Sequence, residues 1–139
     1  MKVIRVILII CLIVLSVFYY NYSVKERLVD IDFKEFNKEV SFASLENEEW
    51  VYDPEKVALK FAGEIENGVR RNVDVVKEDS EATITIIEDN YQDDSVYGAK
   101  YIIKLIQDVD ESWVISNVKW GQKCWPDRGH TNYSCENCH

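Results

Sequence analysis

The residues best suited to chemistry lie near the C-terminal end, where cysteine and histidine recur at short spacing. From position 124 onward the sequence holds three of its four cysteines and both of its histidines. These are Cys124, His130, Cys135, Cys138 and His139. Thiol and imidazole groups form disulfides, bind metals and attach haem, so this tail is the first candidate functional site. No catalytic motif stands elsewhere in the sequence, and we predict no catalytic residue.

A disulfide is the first interpretation of the tail. Cysteines outside the cytoplasm are usually oxidised, and Cys124 can bridge to Cys135 or to Cys138. Gly129, next to Arg128, fits the tight turn that such a bridge needs. Arg128 and His130 are then the candidate functional residues of the tail, and no cofactor is expected.

Metal and haem are the alternative interpretations. The set Cys124, His130, Cys135, Cys138 and His139 offers soft thiolates and imidazoles in numbers that suit zinc, although its spacing matches no standard finger. The run from Cys135 to His139 also fits the C-x-x-C-H attachment pattern of haem c, with His130 as the remaining axial ligand. A redox dithiol formed by Cys135 and Cys138 is a further alternative.

The N-terminal segment, residues 1–22, predicts a membrane anchor. Lys2 and Arg5 flank an uninterrupted apolar run from Val6 to Tyr20. The positive charges predict a cytoplasmic N-terminus, which places the rest of the chain outside the cytoplasm as a single-pass protein of the cell membrane. The run is not followed by an A-x-A-like cleavage site, so an uncleaved anchor is preferred to a cleaved signal peptide, which would make the protein secreted.

Charge excludes one class of partner. The chain carries a formal net charge of −9, and Lys2 and Arg5 precede the first acidic residue, Glu26, so the remainder is more acidic still. Nucleic-acid binding needs a basic face, so a chain this acidic is not expected to bind nucleic acid. We expect the membrane, through the N-terminal helix, and an unknown protein or small molecule as partners.

The chain after the anchor begins with helical patterns. Residues 23–52 predict a helix from Val24 to about Val40, followed by a polar connection that continues to Tyr52. The rest, 53–139, predicts an α+β domain with a cysteine-rich tail. Its first helix has strong start signals, because Asp53 can cap it and Pro54 suits the first helical position. We expect this helix to end at Asn67-Gly68.

The period then changes to two, which predicts four strands. They cover about 69–76, 82–87, 96–106 and 113–120, with Glu88 to Asp94 as a polar turn. In the third strand, Tyr97 and Tyr101 alternate with lysines and are expected to point inward. The predicted fold class is therefore α+β: an N-terminal transmembrane helix, then helices packed on a curled four-stranded antiparallel sheet, with a disulfide-stapled tail.

The helix from Asp53 to Phe61 and the closing strand from Trp113 to Val118 resemble small exported bacterial proteins of the nuclear-transport-factor-2-like, cystatin-like superfamily. The tail from Cys124 to His130, with a later cysteine, is similar to a tail seen in some of those domains. The resemblance covers about 54–135. It implies a cone-shaped fold with a pocket between helix and sheet, and it implies pairing of Cys124 with Cys135. Enzymes of the superfamily place Asp, His or Tyr inside the cone, but no residue here is matched to that role.

Together these features favour a membrane-anchored extracytoplasmic domain that binds a ligand or assists a partner and is not an enzyme. A metal- or haem-binding redox protein that uses the tail is the first alternative. A cone-pocket enzyme of the resembling superfamily is the second.

Overall fold

The computed structural model describes residues 10–16 and 25–139. Its elements in chain order are β1 (Val29–Asp30), α1 (Lys34–Leu45), a 3-10 helix (Glu49–Tyr52), α2 (Pro54–Ala62), β2 (Arg70–Glu78), β3 (Glu81–Asp89), β4 (Val96–Gln107) and β5 (Trp113–Cys124). Residues 10–16 are also helical. The α+β class is confirmed, but the sheet has five strands where four were predicted.

The sheet is antiparallel throughout, in the order β1-β5-β4-β3-β2. Strands β2 to β5 follow one another along the chain as a meander, and each lies close to its predicted position. Asp79 and Glu111 have positive φ in the turns before β3 and β5. These strands could be predicted from the sequence because apolar and polar residues alternate along them and turns separate them.

The hydrophobic core lies between one face of this sheet and the helices. The strands contribute a row of large side chains from alternate positions, and both helices and the 3-10 turn cover it. The fully buried members include Val40, Val51, Val57, Ile84, Ile86, Ile103, Leu105, Trp113 and Val118. The core therefore includes residues from the segment 23–52 as well as from the predicted α+β domain, 53–139.

The missed strand is β1. Residues 25–33 were predicted to lie in a helix, but Val29 and Asp30 pair with Trp120 and Lys119 on the outer edge of β5. The helix begins only at Lys34. A two-residue strand has no period of its own, so its pairing follows from the edge that β5 offers and not from a local pattern.

The connection predicted after the first helix was also wrong. Helix α1 continues to Leu45, and Val40 and Ala43 are buried in the core. The start of α2 is confirmed, since the Asp53 side chain accepts hydrogen bonds from the backbone N–H groups of Glu55 and Lys56. The helix ends at Ala62, before the predicted Asn67-Gly68, because Gly63 adopts a φ of 85°.

Tyr97 and Tyr101 were both predicted to point inward from β4, but a bulge in the strand leaves only Tyr101 in that position. The register with β5 shifts between Val96 and Gly98, which leaves Tyr97 as the extra residue. Tyr101 packs against the core as predicted. Tyr97 instead meets the Trp125 ring edge-on, with centroids 4.7 Å apart.

The predicted transmembrane helix of residues 1–22 falls largely outside the described residues. Within the described ranges, no helix has the length and apolar character that crossing a membrane requires. The described turns at 10–16 expose large apolar side chains, with Leu12 at 66% and Leu15 at 63%.

Candidate functional site

The tail is closed by a disulfide between Cys124 and Cys138, whose Cα atoms are 5.5 Å apart. A disulfide was predicted, but the partner that the family resemblance implied, Cys135, is the wrong one. The backbone N–H of Cys135 donates to Arg27 O at 3.0 Å, which holds this residue beside the N-terminal segment. The Cys135 thiol is free and exposed. Cys138 returns to β5 because His139 N–H donates to Arg128 O at 2.8 Å.

His130 holds the turn of the tail. Its Nδ1 lies 2.8 Å from Asn132 O and its Nε2 lies 3.0 Å from Glu136 O. The His130 carbonyl accepts from Cys124 N–H at 3.0 Å. The ring and the backbone carbonyl of His130 together link three parts of the tail backbone, which is a structural role.

The five predicted metal ligands do not all converge. Donor atoms of Cys124, His130 and Cys138 lie within 4.8 Å of one another, whereas Cys135 and His139 are outside this group. The two sulfurs of the group are bonded to each other, and a metal requires them as thiolates. In this oxidised form the Cys138 sulfur is bonded to Cys124, so it cannot form the thioether bond that attaches a c-type haem.

Arg128 is exposed and lies in the turn that precedes Gly129. Its backbone N–H donates to Trp125 O at 3.1 Å. A Cβ at Gly129 would lie 2.9 Å from Cys124 Sγ, and the φ of 140° is unfavourable for other residues. The turn can therefore press against the disulfide only with glycine at this position.

The tail and the N-terminal segment pack together along the outer edge of β5, where Ser134 bridges to Gln122 and to Arg27, and over one end of the sheet face opposite the helices. A Cβ at Gly121 would lie 2.6 Å from Leu28 Cδ2 and 3.2 Å from Ser134 N, so only glycine admits both segments. Tyr133 lies here between the ammonium groups of Lys100 and Lys123. Burial, followed by the nearby acids, raises the pKa of Tyr133 to about 12. This end of the face is packed structure and not an open site.

A second candidate site lies on the helix side of the sheet. A cavity of about 440 Å³ opens between the segment that follows α2 and the adjoining ends of β3 and β4. It is lined by Ala62, Glu64, Ile65, Glu66, Val69, Glu88, Tyr91, Gln92, Asp93 and Tyr101. Its volume falls in the range of small-molecule sites. It lies just beyond the end of α2, which contributes only Ala62 to the lining.

The innermost polar group of this cavity is Glu88, which is only 5% exposed. Arg71, its direct partner across the strand pair, donates Nε to Glu88 Oε1 at 2.7 Å and also donates Nη2 to the same oxygen. The Arg71 Nη2 further donates to Gly63 O at 2.8 Å, at the end of α2. The Tyr91 hydroxyl donates to the other oxygen of Glu88. Both carboxylate oxygens are therefore occupied.

The two cavity tyrosines are neutral phenols at physiological pH. Burial and then the Glu88 carboxylate raise the pKa of Tyr91. Burial is also the main cause of the raised pKa of Tyr101, which a hydrogen bond from the Trp120 side chain partly offsets. Each phenol is therefore kept as a fixed hydrogen-bonding group.

The sequence analysis missed this cluster because Glu88 was assigned to a polar turn. In the structure, β3 continues through Glu88 and Asp89. The signal was available, since Glu88 follows Ala82, Ile84 and Ile86 at alternate positions on the buried face. Its partner Arg71 could be found only from the pairing of β2 with β3.

Comparisons of the chain with protein-family models, with curated proteins and with solved structures returned no match. The resemblance to the nuclear-transport-factor-2-like superfamily therefore stays a prediction.

Replacing Cys138 by serine should destabilise the domain by ~3 kcal/mol, because it releases a loop of about 15 residues in the unfolded chain. Urea unfolding of the wild type and the variant measures the loss. Cys135→Ser is the matched control and should leave the stability unchanged, since that thiol is free. Equal losses in the two variants, or a non-reducing peptide map that joins Cys124 to Cys135, would contradict the pairing.

Replacing Glu88 by glutamine should cost ~3–5 kcal/mol, because it leaves the Arg71 cation buried without a counter-charge. The two side chains are only 13% and 6% exposed. Glu39→Gln is the control, since its ion pair with Lys60 lies in solvent and is worth below ~1 kcal/mol. Chemical denaturation gives both values, and similar losses would show that the Arg71–Glu88 pair is not buried.

Proposed function

We propose that this chain is a membrane-anchored, extracytoplasmic binding or accessory domain, that it is not an enzyme, and that it binds a small organic cation in the cavity beside Glu88. The observation that carries the proposal is an open cavity of about 440 Å³ whose most buried polar groups, Glu88 and Tyr91, are already held in place by hydrogen bonds. We also propose membership of the nuclear-transport-factor-2-like superfamily, for which a pocket between helix and sheet is expected.

One feature supports the location outside the cytoplasm, and a second supports the membrane anchor. The disulfide between Cys124 and Cys138 is of the kind that persists in oxidising compartments. Residues 10–16 form helical turns with exposed apolar side chains, as a lipid-facing segment does. Together with Lys2 and Arg5, these features favour an uncleaved N-terminal anchor.

A binding function is favoured over catalysis by the state of the buried groups. A general base needs a carboxylate that can reach the substrate proton, whereas the Glu88 oxygens are occupied by Arg71 and Tyr91. The raised pKa values of Tyr91 and Tyr101 hold both phenols in their neutral form. These groups are suited to orienting a ligand and not to moving its protons.

The charge of the cavity lining indicates the class of ligand. Besides Glu88, which Arg71 neutralises, the lining carries Glu64, Glu66 and Asp93 and includes no lysine, arginine or histidine among the described residues. Backbone hydrogen bonds from Val96 and Ser95 lower the pKa of Asp93, so its charge persists at mildly acidic pH. Carboxylates beside tyrosine rings attract an ammonium group through charge and through the ring faces.

Choline and its uncharged carbon isostere, 3,3-dimethylbutan-1-ol, are a matched pair of probes for this site. Choline should bind in isothermal titration and the alcohol should bind much more weakly, because only the first carries a charge. Glu64→Gln with Glu66→Gln should weaken choline binding about 10-fold, given about 0.7 kcal/mol for each exposed charge.

The double variant Glu46→Gln/Glu49→Gln is the control, since it removes the same charge away from the cavity. Equal affinity for choline and the alcohol would refute the cationic ligand. Absence of binding by either probe, or equal weakening by the two double variants, would count against the cavity as the binding site.

The anchor has its own test. The full chain should sediment with membranes and resist extraction by alkaline carbonate, and a protease added from the outside should digest the domain from Lys25 onward. Recovery of a soluble chain that begins near Ser23 would show that the segment is a cleaved signal peptide.

A further inference from the structure

Strand β2 leaves one edge of the sheet open. It is nine residues long and pairs only with β3. Among the described residues, none makes a backbone hydrogen bond to the outer edge of Arg70–Glu78. Two valines near its centre are unusually exposed, Val75 at 41% and Val76 at 51%. An open edge of this length is a template for pairing with another strand.

The opposite edge of the sheet is closed in three ways, one of which is the tail, since Ser134 N–H donates to Gln122 O at 2.9 Å and Ser134 O accepts from Gln122 N–H at 2.8 Å. β1 covers part of β5, and Ile31 N–H extends this cover by donating to Val118 O at 3.1 Å. Further along, the Asn37 side chain donates to Ile115 O at 2.8 Å and accepts from Ile115 N–H at 3.0 Å. The amide thus occupies both backbone groups of Ile115, as a neighbouring strand would. No comparable cover protects β2 in the described part of the chain.

We propose that β2 pairs with β2 of a second copy of this chain, antiparallel and centred on Val75, to give a ten-stranded sheet. The proposal is independent of the ligand proposed for the cavity. The occupant is a second copy because, in the register centred on Val75, the strand pairs with itself over most of its length, joins an exposed valine to its own copy and opposes no like charges.

Symmetry limits the possible registers. In a two-fold antiparallel pair, the residue on the axis faces its own copy, since opposed residues must point to the same face of the sheet. Centring on Asp74 would oppose two aspartates and would also place Arg71 against Lys77. Centring on Val76 would place Asp74 against Glu78. Like charges directly opposite one another are destabilising, so both registers are disfavoured.

Three registers avoid opposed like charges, those centred on Asn72, Val73 and Val75. Centring on Asn72 would pair only residues 70–74 and would leave the exposed Val75 and Val76 outside the paired part of the strand. Centring on Val73 would place the exposed Val75 and Val76 against the arginines of the other copy. Centring on Val75 joins the two exposed Val75 side chains, which buries apolar surface at the axis. It also forms the following opposed pairs: Asp74 with Val76, Val73 with Lys77, Asn72 with Glu78, and Arg71 with Asp79.

The pairing is compatible with two anchors in one membrane. The two-fold axis is perpendicular to the sheet, so a segment that extends from one face of the sheet in one copy extends from the same face in the other copy. Both N-terminal segments can therefore reach the same membrane. Anchoring would raise the effective concentration of the two edges, so that pairing too weak for dilute solution becomes populated.

Cysteine cross-linking of the full chain in membranes tests both the pairing and its register. In a Cys11→Ser/Cys135→Ser background, Val75→Cys should form an interchain disulfide, because each cysteine faces its own copy at a distance suitable for one. Val76→Cys, which faces Asp74 of the other copy, should form several-fold less. Val109→Cys, at a fully exposed turn residue, is the control for random collision.

A charge exchange provides a second test that needs no oxidation. Val75→Glu and Val75→Lys should each lose dimer when expressed alone, and co-expression of the two should restore it as a heterodimer. The same pair of substitutions at Val109 should have no effect. Cross-linking of Val75→Cys no greater than that of Val109→Cys, or failure of the two Val75 variants to rescue each other, would overturn the proposal.

Discussion

The Glu88 carboxylate lies on the buried face of β3, in line with the apolar side chains that build the core, where only 5% of the residue is exposed. A carboxylate in that position is tolerated only if a counter-charge and hydrogen bonds replace the water that it has lost. Arg71 supplies the charge from β2, and Tyr91 supplies a hydroxyl from the loop after β3. The same guanidinium reaches the Gly63 carbonyl, so one ion pair joins β2, β3 and the end of α2.

That junction explains why a cavity exists at this end of the molecule. Helix α2 stops at Ala62, and Gly63 turns the chain away from the sheet. The core continues under the helix, whereas beyond it the sheet carries Glu88 and Tyr101 in place of aliphatic residues. Closing the gap would bury further polar groups without partners, which is costly, so the space stays open to solvent or to a ligand.

The two faces of the sheet contact different parts of the molecule. The helix face carries the core and the cavity, while the other face is covered at one end by the disulfide-closed tail and the N-terminal segment. Gly121 makes that cover possible, because a side chain there would collide with Leu28 and Ser134. The tail is therefore a support that holds the N-terminal segment against β5. Among the described residues, the cavity and the open edge of β2 are the surfaces that we propose for recognition.

The sequence by itself determined the elements that carry a local signal. Strands β2 to β5 follow from alternating apolar residues between turns, and the start of α2 follows from Asp53 and Pro54. The acidic charge and the presence of a disulfide in the tail could also be predicted from the sequence.

Tertiary structure decided the remaining features, because they depend on contacts between distant segments. Strand β1 is too short to show a period and exists only because β5 offers it an edge. Glu88 looked like a turn residue until its pairing with Arg71 placed it in the core face. Cys124 is joined to Cys138 because backbone bonds to Arg128 and Arg27 set where each cysteine of the tail returns, which spacing along the chain does not encode.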